Sequence, residues 1–142
     1  MSGSPQQRRK ARRRALEFLF SIEFTQYEWE AALEAFWETF DTKQVVREYA
    51  KTLIKGISNH TEDIDAHIDS ALTNWSPDRV GHVERNILRV AVFEIAYTDD
   101  VPQKVAINEA IEIAKAYGSD ESAGFVNAVL DKLKSTVFAD IE

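Results

Sequence analysis

Apolar side chains recur along this chain at intervals of three and four positions and nowhere alternate with polar ones over a sustained stretch, the spacing of helices that bury one face. A first stripe runs through Leu16, Leu19, Phe20, Glu23 and Tyr27, widened by Phe18, Ile22 and Phe24, and a second through Leu33, Phe36, Trp37 and Phe40. Val46, Tyr49, Ala50, Leu53 and Ile57 mark a third helix, and Ile64, Ile68, Ala71, Leu72 and Trp75 a fourth. Ser76 followed by Pro77 reads as another helix start, because serine accepts an orphan amide hydrogen bond and proline at the first position has no donor to lose. From Val83 to Tyr97 apolar residues cover most of the circumference, which predicts a central, enclosed helix. Beyond a loop at Asp99 to Pro102, Ile107, Ala110, Ile111 and Ala114 predict a helix that Gly118 ends in a left-handed cap. Phe125, Val126, Val129, Leu130 and Leu133 predict the last. The fold class is all-α with about seven helices and no internal repeat.

A length of 142 residues with 44% apolar content is enough for a buried core, and only five glycines and three prolines interrupt it. The formal charge of -7 conceals an asymmetry. Six of the 17 basic groups (Arg8, Arg9, Lys10, Arg12, Arg13 and Arg14) fall within residues 8 to 14, and every Asp and Glu lies at or beyond Glu17. The chain therefore divides into a basic arm over 1–14, flexible or extending the first helix, and a single all-helical domain over 15–142. The arm contributes no predicted core, so removing it is expected to leave helical content nearly unchanged.

Cysteine is absent, which excludes disulfides, thiolate metal sites and cysteine nucleophiles and suits a reducing, cytoplasmic location. The longest charge-free stretch, Ser122 to Leu130, has nine residues, against about 18 for a membrane span. Glu17 and Glu23 interrupt what could otherwise pass for a signal peptide, while an Arg-rich transit peptide stays open on composition. His60, His67 and His82 follow no zinc-ligand spacing, and no HExxH, P-loop, GxGxxG or GxSxG pattern occurs. Neither catalytic machinery nor a metal or cofactor site is expected.

The basic run needs a different explanation, since crowded cations repel one another and favour a polyanionic partner. Five of the six are arginine, whose planar fork bonds phosphate bidentately and stacks on bases. A solubilising tail is the bland alternative. An anionic membrane is disfavoured by Glu17, Glu23 and Glu28 on the helix that follows. In a helix Arg8 stacks with Arg12, Arg9 with Arg13 and Lys10 with Arg14, so the cations encircle the axis; an unfolded arm that orders on contact fits equally. An acidic body repels a long duplex, which favours single-stranded RNA or an RNA loop. Phe20, Tyr117 and Phe125 are then the candidate base platforms, with core packing as the alternative. Contact with about four to six phosphates predicts a log–log salt slope of about -3 to -4.

Several segments together resemble the NusB family of bacterial transcription antitermination factors. They are Asn74-Trp75-Ser76 with Arg79, Val83-Glu84-Arg85-Asn86-Ile87-Leu88-Arg89, Asp100-Val101-Pro102 leading into Val105 to Lys115, Phe125-Val126-Asn127-Ala128-Val129-Leu130-Asp131, and the Arg-rich start running into Ala15-Leu16. The resemblance spans roughly residues 8 to 134 and is weakest between 28 and 60. It implies two packed three-helix bundles and a non-enzymatic adaptor that binds the boxA element of nascent ribosomal RNA. It implies as partners the ribosomal protein NusE and the RNA polymerase antitermination complex, with no membrane; a homodimer is left open. Carried over by position, Arg8, Arg9, Lys10, Arg12 and Arg13 fall in the family's RNA-binding motif, Phe20, Tyr117, Glu121 and Phe125 near its RNA-facing surface, and Glu84 near its partner surface. Ala128 stands where the family commonly has glycine, a change expected to tighten a helix contact. The amides of Asn108 and Asn127 could read base edges, but a helix cap or a buried hydrogen-bonding role is the favoured reading, and Trp75 reads as a packing residue. A related reading is the RNA-binding module of a ribosomal RNA cytosine methyltransferase or of a ribosome-assembly factor.

Overall fold

A computed structural model describes residues 3–25, 28–72 and 80–139, which contain seven α-helices. These are α1 (Pro5–Ile22), α2 (Trp29–Thr39), α3 (Gln44–Asn59), α4 (Thr61–Ser70), α5 (His82–Tyr97), α6 (Gln103–Tyr117) and α7 (Asp120–Ser135). The helix start at Ser76-Pro77, together with Asn74, Trp75 and Arg79 of the resemblance, lies outside the described residues, as does Tyr27. The chain forms two compact units, Met1–Lys55 and Gly56–Glu142. No helix among the described residues is long and apolar enough to cross a membrane.

In the first unit α1 packs on α2, and its buried face differs from the stripe read in the sequence. Ala11, Ala15, Leu16, Phe18 and Leu19 are buried, whereas Phe20 is 45% and Phe24 73% exposed. Ala11, Ala15 and Phe18 extend an i, i+4, i+7 row back into the basic segment, and that row, rather than the larger aromatic count on the other side, decides which way the helix faces. Phe18 meets Phe36 of α2 edge to face, with centroids 5.4 Å apart, and Phe36 in turn packs against Trp37 and Phe40 at 5.3 and 4.5 Å. In α3 all five residues of the third stripe are buried, with Ile54 beside them.

In the second unit α5 is buried from Asn86 to Ile95 except at the half-buried Arg89, and α4, α6 and α7 pack on it. One side is tied to α4 by ions. Arg89 donates from Nε and Nη2 to Asp65 Oδ1 and Oδ2 at 2.8 and 2.9 Å, and from Nη1 to Asn86 Oδ1 at 2.9 Å. Arg85 donates to Asp69 at 2.9 Å. The fork-to-carboxylate geometry fixes the rotation of the two helices as well as their contact.

Gly56, near the end of α3, shows what the aromatic packing demands. A Cβ placed there would lie 2.1 Å from Cε1 of Phe93, and that ring continues into a stack with Tyr97 and then His60, at 5.8 and 4.2 Å. Alanine is better than glycine in a helix by about 1 kcal/mol, but forcing a stacked ring aside costs about 1–3 kcal/mol. Gly56→Ala is therefore expected to destabilise the protein by about 1 kcal/mol net, measured as a lower urea midpoint at unchanged m-value. An unchanged or raised midpoint would show that the ring yields freely.

Gly118 ends α6 without a left-handed residue: its φ is -122°, and the one positive-φ glycine among the described residues is Gly3. The expected left-handed cap is thus replaced by a hydrogen bond from the Gly118 N–H to the Ala114 carbonyl at 2.9 Å. A side chain is excluded for a steric reason, since a Cβ would sit 2.6 Å from Ser122 Oγ, where α7 turns back on α6.

Candidate nucleic-acid interface

The basic segment is helical throughout, inside α1. Its start is strongly specified. Ser4 Oγ accepts from the Gln7 N–H at 3.1 Å, Gln7 Oε1 accepts from the Ser4 N–H at 2.8 Å, and Pro5 takes the first helical position. This reciprocal capping box satisfies donors that would otherwise be orphaned. It is needed, because six cations crowd the half of the helix where the macrodipole is positive and no acidic residue stands in the first turn.

The cations do not face one ligand, and burial divides them. Arg12 is only 4% exposed. The Arg8 and Arg12 guanidinium carbons lie 4.5 and 5.9 Å from the ring centroid of Tyr49 on α3, itself buried. Arg14 donates to Glu17 at 2.9 Å and lies 5.0 Å from the Phe40 ring. Arg9 and Lys10 are exposed and Arg13 half-buried. At 100° per residue Arg9, Arg13 and the exposed Phe20 fall within about 40° of one another, on the side opposite Ala11 and Ala15. The outcome is a short row of guanidinium groups ending in an open aromatic ring. The expectation that residues 1 to 14 could be removed without structural cost is overturned, since they include ten residues of α1 with Ala11 at 0% exposure.

The remaining predicted residues sit in the second unit. A groove of about 690 Å³ is lined by Val80, Gly81 and Glu84 at the start of α5 and by Ser119, Glu121, Ser122, Gly124 and Phe125 at the start of α7. Ser119 caps α7, its Oγ accepting from the Ser122 N–H at 3.1 Å. Ser122 Oγ donates to Glu84 Oε2 at 2.5 Å, which fixes the Glu84 carboxylate against α7 and so holds the two helix starts together. Phe125 is half-buried in the groove wall, and Gly124 leaves it open, with no atom within 4 Å of where a Cβ would stand. Tyr117, 37% exposed, ends α6 two residues before the Ser119 cap.

Glu84, Glu121 and Phe125, placed by resemblance on separate surfaces, thus share one groove. Its two carboxylates make it a poor phosphate site and a good one for N–H donors on a base edge or a basic partner. Phe20 and Tyr117 are exposed rather than core. Asn108 and Asn127 are exposed in helix interiors, so neither caps nor is buried, and the exposed Ala128 tightens no helix contact. Two contributors escaped the sequence reading: Tyr49, whose stripe spacing reads only as core, and Ser122, whose bond to Glu84 spans 38 positions. Among the described residues no three His, Asp or Glu side chains converge as a metal-binding group.

Residues 9–135 match the NusB family. The transcription antitermination protein NusB of Anaeromyxobacter dehalogenans (strain 2CP-1) is 46% identical over 129 residues, 90% of either chain. The solved structure of T. maritima NusB superposes with a TM-score of 0.80 at 39% identity, covering 91% of both chains. A crystal structure of the antitermination factors NusB and NusE in complex with double-stranded RNA gives a TM-score of 0.81 at 27% identity, over 93% of this chain and 98% of that one.

Proposed function

The chain belongs to the NusB family, and from that premise we propose that it is a non-enzymatic transcription antitermination factor that binds the boxA element of nascent ribosomal RNA together with the ribosomal protein NusE. The observation that carries the reading is the preformed row of Arg9, Arg13 and exposed Phe20, flanked by Lys10, on a capped helix. Arg9, Lys10 and Arg13 take backbone phosphates; Phe20, Tyr117 and Phe125 offer ring faces to unstacked bases, and Glu121 accepts from a base N–H. Glu84, held by Ser122, contributes to the surface that takes the basic ribosomal partner. The assembled complex then acts on transcribing RNA polymerase.

With Arg9 and Lys10 exposed and Arg13 half-buried, at most about three phosphates are met rather than the number that the six-cation count suggested. At about 0.7 per phosphate for single strands, the salt slope should be about -2 rather than -3 to -4. The related NusB–NusE structure holds double-stranded RNA, so strand state belongs in the test. Fluorescence anisotropy with a boxA strand, a scrambled strand and a boxA duplex, each with and without NusE, is expected to give at least tenfold preference for the boxA single strand in the presence of NusE. A twofold preference, about 0.4 kcal/mol, would defeat sequence recognition, as would tighter binding of the duplex. Phe125→Ala should weaken boxA binding by about 1–3 kcal/mol, provided circular dichroism shows an intact fold. Equal losses on boxA and scrambled strands would remove Phe125 from base reading.

A further inference from the structure

We propose that Tyr49 is a positioning residue for RNA recognition: its buried ring seats the Arg8 and Arg12 guanidinium groups and so holds the basic turns of α1 in helical form before any RNA arrives. The inference deepens the reading of the chain as an RNA-binding factor and rests on it. In isolation these turns have every local reason to unwind. Like charges repeat at i, i+4 in three overlapping pairs, they lie toward the positive end of the helix dipole, and no acidic side chain stands in the first turn. The capping box fixes the helix start, but Ser4 and Gln7 are at the surface or half-buried and hold only its first turn. Tyr49 acts one and two turns further on. It presents a negative ring face to two cations of the same helix row, four positions apart, and converts part of the crowd from a repulsive load into an attachment to α3.

The consequence is a division of labour inside one run of basic residues. Arg8 and Arg12 hold the helix, and Arg9, Lys10 and Arg13 are displayed by it at a fixed spacing. A disordered arm would have to lose its chain entropy on contact with RNA; a seated one has already lost it in folding, so the same phosphate contacts yield a tighter complex.

The experiment compares wild type, Tyr49→Phe, Tyr49→Leu and Arg8→Met in the full chain, using a short boxA single strand as probe, with salt titrations and amide hydrogen exchange over residues 8–12. Tyr49→Phe keeps the ring and should bind within about threefold of wild type. Tyr49→Leu keeps apolar bulk without a ring face, and should bind about tenfold more weakly, the scale of two cation–ring contacts. Its salt slope should match wild type, because the same phosphates are met; its amides 8–12 should exchange fast in the free protein and regain protection on saturation with RNA. Arg8→Met leaves the core untouched and should show the same pattern, which keeps the proposal testable if Tyr49→Leu fails to fold. If Arg8→Met instead lowers the slope by about 0.7 while protection is unchanged, Arg8 is a phosphate ligand and the seat is refuted. Undiminished affinity of Tyr49→Leu overturns the seat but leaves RNA binding intact, whereas a wild type that ignores the RNA overturns the functional reading itself.

Discussion

Replacing Arg9, Lys10 and Arg13 together with glutamine is expected to weaken single-stranded RNA binding about 50-fold at roughly 0.15 M salt and to flatten the salt dependence almost to zero. The figure follows from counterion release: three phosphates at about 0.7 each give a slope near -2, which extrapolates to about 1.7 decades of affinity between 1 M and 0.15 M salt. The fold should not suffer. Glutamine is nearly as good a helix former as arginine or lysine, and removing three cations from the positive end of a helix relieves repulsion. The melting temperature of the triple variant should stay close to that of wild type, and is measured beside affinity because Arg9 and Arg13 also make contacts within the protein. A residual slope near -2 would place the phosphates on other side chains. Deleting residues 1–14 is the less informative experiment, because it also removes the buried Ala11 and Arg12 and the capping box that starts α1.

Phe18→Ala carries the largest expected effect on stability. Phe18 is 1% exposed and meets Phe36 edge to face at the contact of α1 with α2. Truncating a buried phenylalanine costs about 3–5 kcal/mol, the lost transfer energy plus the cavity left behind. That is a large fraction of the roughly 5–15 kcal/mol by which a domain is stable, and the urea midpoint should fall accordingly. Because Phe18 lies on the helix that displays Arg9 and Arg13, RNA affinity should fall with it and recover where excess RNA drives folding by mass action. A loss below about 1 kcal/mol would mean that the Phe18–Phe36 contact is not the anchor of α1.

The two predictions meet at α1, where the sequence was partly misleading. Its stripe through Leu16, Leu19, Phe20, Glu23 and Tyr27, widened by Phe18, Ile22 and Phe24, is buried as read at Leu16, Phe18 and Leu19 but not at Phe20 or Phe24. The helix turns instead on the small residues Ala11 and Ala15, which permit close packing, and leaves Phe20 and Phe24 in solvent. Elsewhere the periodicity was sufficient. The third stripe is buried as read, and the continuous apolar run after Val83 is the enclosed α5. In both places the bulky residues and the buried residues coincide, so pattern and packing agree.

The sequence alone determined the all-helical class, most helix positions, the concentration of cations before residue 15 and the family to which the chain belongs, because each depends on spacing or residue type along one strand of chain. It also singled out Phe20 and Tyr117, which stand exposed, and Phe125, half-exposed in the groove wall. Only the tertiary structure decided which of six neighbouring cations face outward, that Tyr49 underlies two of them, and that a Glu84–Ser122 hydrogen bond brings Glu84, Glu121 and Phe125 into one groove. Those facts depend on which surface of a helix its neighbours cover, and on pairs of residues as many as 41 positions apart, distances over which side-chain periodicity carries no information.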